Sequence, residues 1–137
     1  MAGPLSIMVV EHDPNVVSLI AEELADTLGP CTHLECTTKL SIACESLADS
    51  EFDAIIVDLG LENGLTSATA VVNAIRTCAP KTPFFVLLER GHELQGMESL
   101  NAGADGCLLR DELESRVWLR KVCGAVERRR LPRTRSN

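Results

Sequence analysis

Charged residues follow directly on apolar runs at four places in this chain. IMVV leads into Glu11-His12-Asp13, AIIV into Asp58, PFFVLL into Glu89, and GCLL into Arg110-Asp111. A short, nearly continuous apolar run reads as a strand covered on both faces, and its polar end as the point where the strand leaves the core. If those ends converge, several carboxylates share one small volume. Like charges held close disfavour joint ionisation. Such a cluster is comfortable only with a cation, and oxygen ligands suit Mg²⁺. A carboxylate beside Mg²⁺ and a fixed cation such as Arg110 can accept a phosphoryl group, because the cations neutralise the charge that develops in transfer. The plainer alternative is a set of ordinary solvated strand ends.

The elements that must position these residues alternate along the chain. Apolar runs at 5–10, 53–58, 83–88 and 106–109 read as strands, and the more polar 32–37 as a strand at a sheet edge. Between them lie helical patterns. One opens at Pro14 with Asp13 as N-cap, repeats Val16, Ile20, Leu24 and Leu28 at i+4, and stops at Gly29-Pro30. Leu40 to Leu47 and Thr66 to Cys78 follow, the second with Val71, Val72 and Ile75 on one face. Leu94, Met97 and Leu100 mark a short helix. The last helix is expected from about Asp111, burying Leu113, Val117, Trp118, Val122 and Val126. Residues 59–65 read as a loop that Gly60 and Gly64 shape; no P-loop or G-x-G-x-x-G occurs.

Strand-to-strand connections of this length imply parallel pairing with right-handed crossovers. The expected fold is a flavodoxin-like (βα)5 doubly wound parallel sheet, order 2-1-3-4-5, with helices on both faces. Function in such sheets gathers at the carboxyl ends of the strands beside the switch point. That order puts strands one and three side by side, with Arg110 reaching in from the far side.

Composition narrows the function classes. The chain has 137 residues, 45% of them hydrophobic, enough for one domain with a substantial core. No apolar run approaches the roughly 20 residues of a membrane span. The N-terminus lacks a basic segment of the secretory kind, so a cytoplasmic location is expected. Residues 1–127 carry all 20 acids and eight of the 13 Lys and Arg, a balance of −12. That acidic body argues against a nucleic-acid-binding surface. Arg128, Arg129, Arg130, Arg133 and Arg135 make a basic end that reads as a solvated helix terminus favourable to the helix dipole. The six cysteines include no C-x2-C pair, and His12, His33 and His92 complete no zinc spacing. They are expected to be buried reduced thiols, a redox or metal role being the alternative. Trp118 reads as core.

At this point the motifs resemble the receiver domain of two-component response regulators. MVVEHDP is similar to the first-strand signature, FDAIIVDLGLENGLT to the phosphoacceptor strand and its loop, PFFVLLERG to the fourth strand, and LNAGADGCLLRDEL to the Gly-Ala-Asp segment and fifth strand. The final helix ending in ERRRL resembles the helix that joins many receivers to a following signalling domain. The resemblance thus spans about residues 5–130, each motif weak alone and the five in the expected order. It implies a receiver domain over 1–130 and an Arg-rich tail at 131–137. It also implies Asp58 as phosphoacceptor, an acidic metal site of Glu11, His12, Asp13, Asp58 and Gly60, and Arg110 as the cation contacting the phosphoryl group. The implied partners are a histidine kinase or phosphotransfer protein. Any homodimer or effector contact is expected to use the last helices, Leu94 to Arg130.

The departures from that pattern matter equally. His12 stands where the second acid is usual. It is either a ligand for a softer ion such as Mn²⁺ or a replacement that abolishes metal binding, and the oxygen-rich site favours the second. Mg²⁺ binding is therefore expected to be weak or absent. Leu88 replaces the hydroxyl residue of strand four, a loss of about 1.5–3 kcal/mol for a hydrogen bond to a charged group. Cys107 replaces the switch aromatic, and Arg110 replaces a lysine. Two versions of a non-enzymatic signalling module follow. One accepts a phosphoryl group on Asp58; the other is a pseudo-receiver that binds partners without phosphorylation. A flavodoxin-like electron carrier is the remote alternative, disfavoured by three Phe, one Trp and no phosphate-binding loop.

Overall fold

The computed structural model describes residues 5–29, 32–60 and 67–130. The tail at 131–137 and most of the loop after Asp58, Thr66 included, lie outside the described residues. Five strands, β1 (Ser6–Val10), β2 (His33–Thr37), β3 (Ala54–Asp58), β4 (Phe84–Leu88) and β5 (Gly106–Leu109), form one parallel sheet in the order β2-β1-β3-β4-β5. Five helices alternate with them: α1 (Pro14–Leu28), α2 (Leu40–Asp49), α3 (Ala68–Cys78), α4 (Glu93–Ala102) and α5 (Val117–Arg130). This is the flavodoxin-like (βα)5 arrangement expected from the sequence.

Side chains alternate across each strand, so each sheet face receives its own core. Met8, Val10, Ile55, Val57, Phe84 and Val86 pack with α2 and α3 on one side. Ile7, Val9, Ile56, Phe85, Leu87 and Leu108 pack with α1 and α5 on the other, around the fully buried Trp118. β2 is half exposed and lies at the edge, as its polar sequence requires.

The helix starts follow local chemistry. Asp13 caps α1, its carboxylate accepting from the Asn15 N–H at 2.9 Å, with Pro14 in the first turn. Ser67 caps α3 by accepting from the Ala70 N–H.

The last helix departs from expectation. A 3-10 turn occupies Arg110–Glu112, and α5 begins only at Val117. Leu113 drops into the core between them, and its carbonyl accepts from the Trp118 indole N–H at 3.1 Å. Trp118, Val122 and Val126 are buried as expected, but Val117 lies outside the buried face and is exposed.

The α4 stripe also faces the other way. Leu94, Met97 and Leu100 are 70%, 60% and 46% exposed, while Gly96 and Ser99 face the sheet. A Cβ added to Gly96 would lie 2.8 Å from Leu88 Cδ1 and 3.1 Å from Cys107 Sγ. The smallest side chain of the helix is thus the one that permits its approach to β4 and β5. The cysteines correct another expectation. Cys36 is exposed, and Cys44, Cys78, Cys107 and Cys123 are only half-buried; Cys31 lies outside the described residues.

Candidate functional site

Register decides which strand ends meet. Val10 pairs with Val57, so Glu11 and Asp58, the next residue on each strand, stand side by side. Leu88 pairs with Leu109, which puts Arg110 beside Glu89 at the same end of the sheet. Asp58 is two strands from β5, about 10 Å at the usual spacing. A long side chain covers that distance, and Arg110 does.

Its guanidinium joins three carboxylates. Arg110 Nη1 donates to Glu11 Oε1 at 3.1 Å and to Asp58 Oδ2 at 3.0 Å, and Nη2 donates to Asp13 Oδ2 at 3.3 Å. Glu89 Oε2 stands 3.8 Å from Nε. Glu11 and Asp58 are only 1% and 4% exposed, so these are desolvated contacts. The remaining carboxylate oxygens have backbone donors. Glu11 Oε2 accepts from the His12 and Asp13 N–H groups at 3.1 and 3.0 Å. Asp58 Oδ1 accepts from the Gly60 N–H at 3.0 Å. Every oxygen of the two buried carboxylates therefore has a donor from the protein itself.

The electrostatics follow from that packing. Burial, with the Asp58 charge adding to it, raises the Glu11 carboxyl above its ordinary value, although the backbone amide at Asp13 and the Arg110 charge pull the other way. Burial disfavours the Arg110 charge, but Glu11 and Asp58 outweigh it and hold the guanidinium above its usual value.

A family resemblance of this kind implies Mg²⁺, and the donor set can be tested for it. Ligand atoms of Glu11, His12 and Asp58 lie within 4.8 Å of one another. His12 Nδ1 is 3.7 Å from Glu11 Oε2 and 3.8 Å from Asp58 Oδ2. The set does not fit a hard divalent ion. One donor is nitrogen, where Mg²⁺ takes oxygen in a strict octahedron. The oxygens that would face the ion already hold a guanidinium or backbone amides. The arrangement satisfies a buried acid pair with an internal monovalent cation.

Of the residues singled out in the sequence, Glu11, His12, Asp13, Asp58 and Arg110 come together, and Gly60 joins through its backbone. Asp13 serves twice, capping α1 with one oxygen and meeting Arg110 with the other. A cavity of about 430 Å³ opens over Asp58 and Arg110, with Leu88 in its wall. Cys107 is not in that wall. Its thiol donates to the Gly96 carbonyl at 3.5 Å, on the side facing α4. His92 and Gln95 also line the cavity and were not singled out as site residues. Helical spacing places both near the start of α4, but nothing in the sequence says that this end overhangs Asp58.

Comparison with known proteins bears on the fold. No family model matches the sequence, and no curated protein does. Solved structures do match. A CheY-like response regulator receiver domain protein from Methanospirillum hungatei is 15% identical, with a TM-score of 0.73 over 93% of this chain and 97% of that one. The signal receiver domain of an HD domain-containing protein from Pseudomonas fluorescens is 18% identical, with a TM-score of 0.73 over 96% of each chain. NtrX from Brucella abortus is 18% identical, with a TM-score of 0.72, the match covering 96% of this chain and 31% of that one. Among the described residues, no helix is long and apolar enough to cross a membrane. The chain has the fold of the response regulator receiver domains.

Proposed function

We propose that this chain is a receiver-type signalling module, a binding domain rather than a catalyst, whose contacts do not depend on phosphorylation of Asp58. The observation that carries the reading is the Arg110 guanidinium lying among Glu11, Asp13 and Asp58. The acid pair already holds a cation between its carboxylates, and its oxygens are already engaged. The two positions that would relay a change at Asp58 are Leu88, which has no donor for a phosphoryl oxygen, and Cys107, which bonds to α4. Contact with an effector domain or a second copy is assigned to Leu94–Arg130, where α4 carries its exposed apolar stripe. A cytoplasmic setting belongs to the same reading.

A second reading has its own support. Asp58 and Arg110 both line an open cavity. An arginine fork can clasp phosphoryl oxygens. In that version a histidine kinase or phosphotransfer protein phosphorylates Asp58.

Incubation with acetyl phosphate, in Mg²⁺ and separately in Mn²⁺, followed by intact mass, separates the two. The pseudo-receiver reading expects no phosphoryl adduct. A stoichiometric adduct that disappears in Asp58→Asn would establish the second reading instead.

A further inference from the structure

Away from the acid pocket, two cysteines lie at the seam between neighbouring helices. Cys44 lies on α2 and Cys78 at the end of α3. The Cys44 thiol points at α3, donating to the Ala74 carbonyl at 3.8 Å. Cys78 follows Ala74 by four residues, so it occupies the same helix face one turn on. The Cys78 thiol is near enough to act on the Cys44 thiol, adding to the effect of burial on it. Both side chains pack against the same core cluster beneath α2 and α3. Neither is sealed. Both are half-buried, and Cys78 lines a surface groove of about 460 Å³ beside Lys81 and Arg129.

We propose that Cys44 and Cys78 form an oxidisable dithiol, a redox-modification site that a peroxide closes to a disulfide between α2 and α3. The inference stands apart from the reading of Asp58. Cys78 faces the groove and reacts first. Its thiolate attacks one peroxide oxygen, the O–O bond breaks, and the other oxygen leaves as water after taking a proton. Cys78 is then a sulfenic acid. The Cys44 sulfur, having given up its proton, attacks the Cys78 sulfur and expels hydroxide, which leaves as a second water. The two thiols lose two electrons in all, and the peroxide gains them.

The closed bond joins the helices on either side of β3, so the enclosed segment carries Asp58 and the loop after it. Oxidation would tie α2 to α3, with no atom of the acid pocket taking part. The rate has a built-in brake. Burial and then the Cys78 thiol push Cys44 up to about 11, so at neutral pH the resolving sulfur is almost wholly protonated. Alkaline conditions release it.

The test uses the full chain with hydrogen peroxide at neutral and at alkaline pH, followed by alkylation of free thiols and peptide mapping. The expected result is loss of two alkylatable thiols per chain and one cross-linked peptide pair, Cys44 with Cys78, formed faster at the higher pH. Cys36→Ser should leave the bridge intact, and Cys78→Ser should abolish it. A first bridge between any other pair, or Cys78 carried on to sulfinic acid with Cys44 still free, would overturn the proposal. Mapping of the unsubstituted protein decides the matter even if Cys78→Ser fails to fold.

Discussion

The acid pocket and the β4–α4–β5 corner lie at the same end of one sheet, yet they are held by opposite means. The pocket is a polar network that a single cation completes. The corner is a steric fit in which Gly96 admits Leu88 and Cys107 against the helix. A buried ion network responds to charge, because its groups were balanced against one another. A close-packed contact responds to volume and hardly to charge. Signals move between two sites only if both bias the same bistable element. Leu88, which lines the cavity over Asp58 and also packs against Gly96, carries no charge and no hydrogen-bonding group, so little can pass through it.

Removing the cation should disturb the pocket most. Arg110→Ala leaves Glu11 and Asp58 buried side by side with no counter-charge. Breaking a buried ion network in this way costs about 3–5 kcal/mol. Urea unfolding should show a loss of that order. Arg110→Lys keeps the charge but loses the fork that reaches Asp13 as well, so its loss should be smaller. Equal stability of Arg110→Ala and the parent protein would mean that the network contributes nothing.

The corner should fail differently. Gly96→Val forces carbon atoms onto Leu88 Cδ1 and Cys107 Sγ, and overpacking of this kind costs about 1–3 kcal/mol. The decisive readout is the pairing of the two variants. If the regions are independent, the double variant Arg110→Lys, Gly96→Val should lose the sum of the single losses to within about 0.5 kcal/mol. A larger departure would reveal coupling that the packing does not account for.

The sequence made four strands legible as short apolar runs and β2 as a more polar edge strand, and its long connections made the parallel crossovers legible; the order 2-1-3-4-5 is that of the flavodoxin-like fold. The convergence of Glu11, Asp58 and Arg110 followed from that order. Three things did not follow. The direction of the α4 stripe was hidden, because Leu94, Met97 and Leu100 carry a helical period whichever face meets the sheet. The late start of α5 was hidden because Leu113 has the spacing of a helix face and instead packs from a 3-10 turn. The nearness of Cys44 to Cys78 was hidden because it depends on how α2 and α3 lie against each other, not on any spacing within one helix.

A gentler variant probes the metal preference of the acid pocket. His12→Asp replaces the nitrogen donor with oxygen beside Glu11 and Asp58. Calorimetric titration should show Mg²⁺ binding about tenfold tighter than in the parent protein, near 1.4 kcal/mol. The gain is limited because Arg110 still occupies the carboxylates. Identical Mg²⁺ affinity in the two proteins would show that His12 is not what keeps the metal out.

The smallest expected effect is a slope of stability with pH that belongs to Glu11. Its carboxyl is raised in the folded protein, chiefly by burial and then by Asp58 against the opposing amide and Arg110. The folded chain therefore holds this proton more tightly than the unfolded chain. Between the unfolded and folded values, the native state binds more protons, so stability falls as pH rises. The contribution is fully present below the ordinary glutamate value of 4.5 and is lost as pH climbs through the raised one. Glu11→Gln carries no titrating proton, so subtracting its pH profile from that of the parent protein should leave a component that declines across this window. A difference that instead rises with pH would mean that Arg110 governs Glu11 more strongly than desolvation does, and the pocket would be a stabilising ion network rather than a desolvated one.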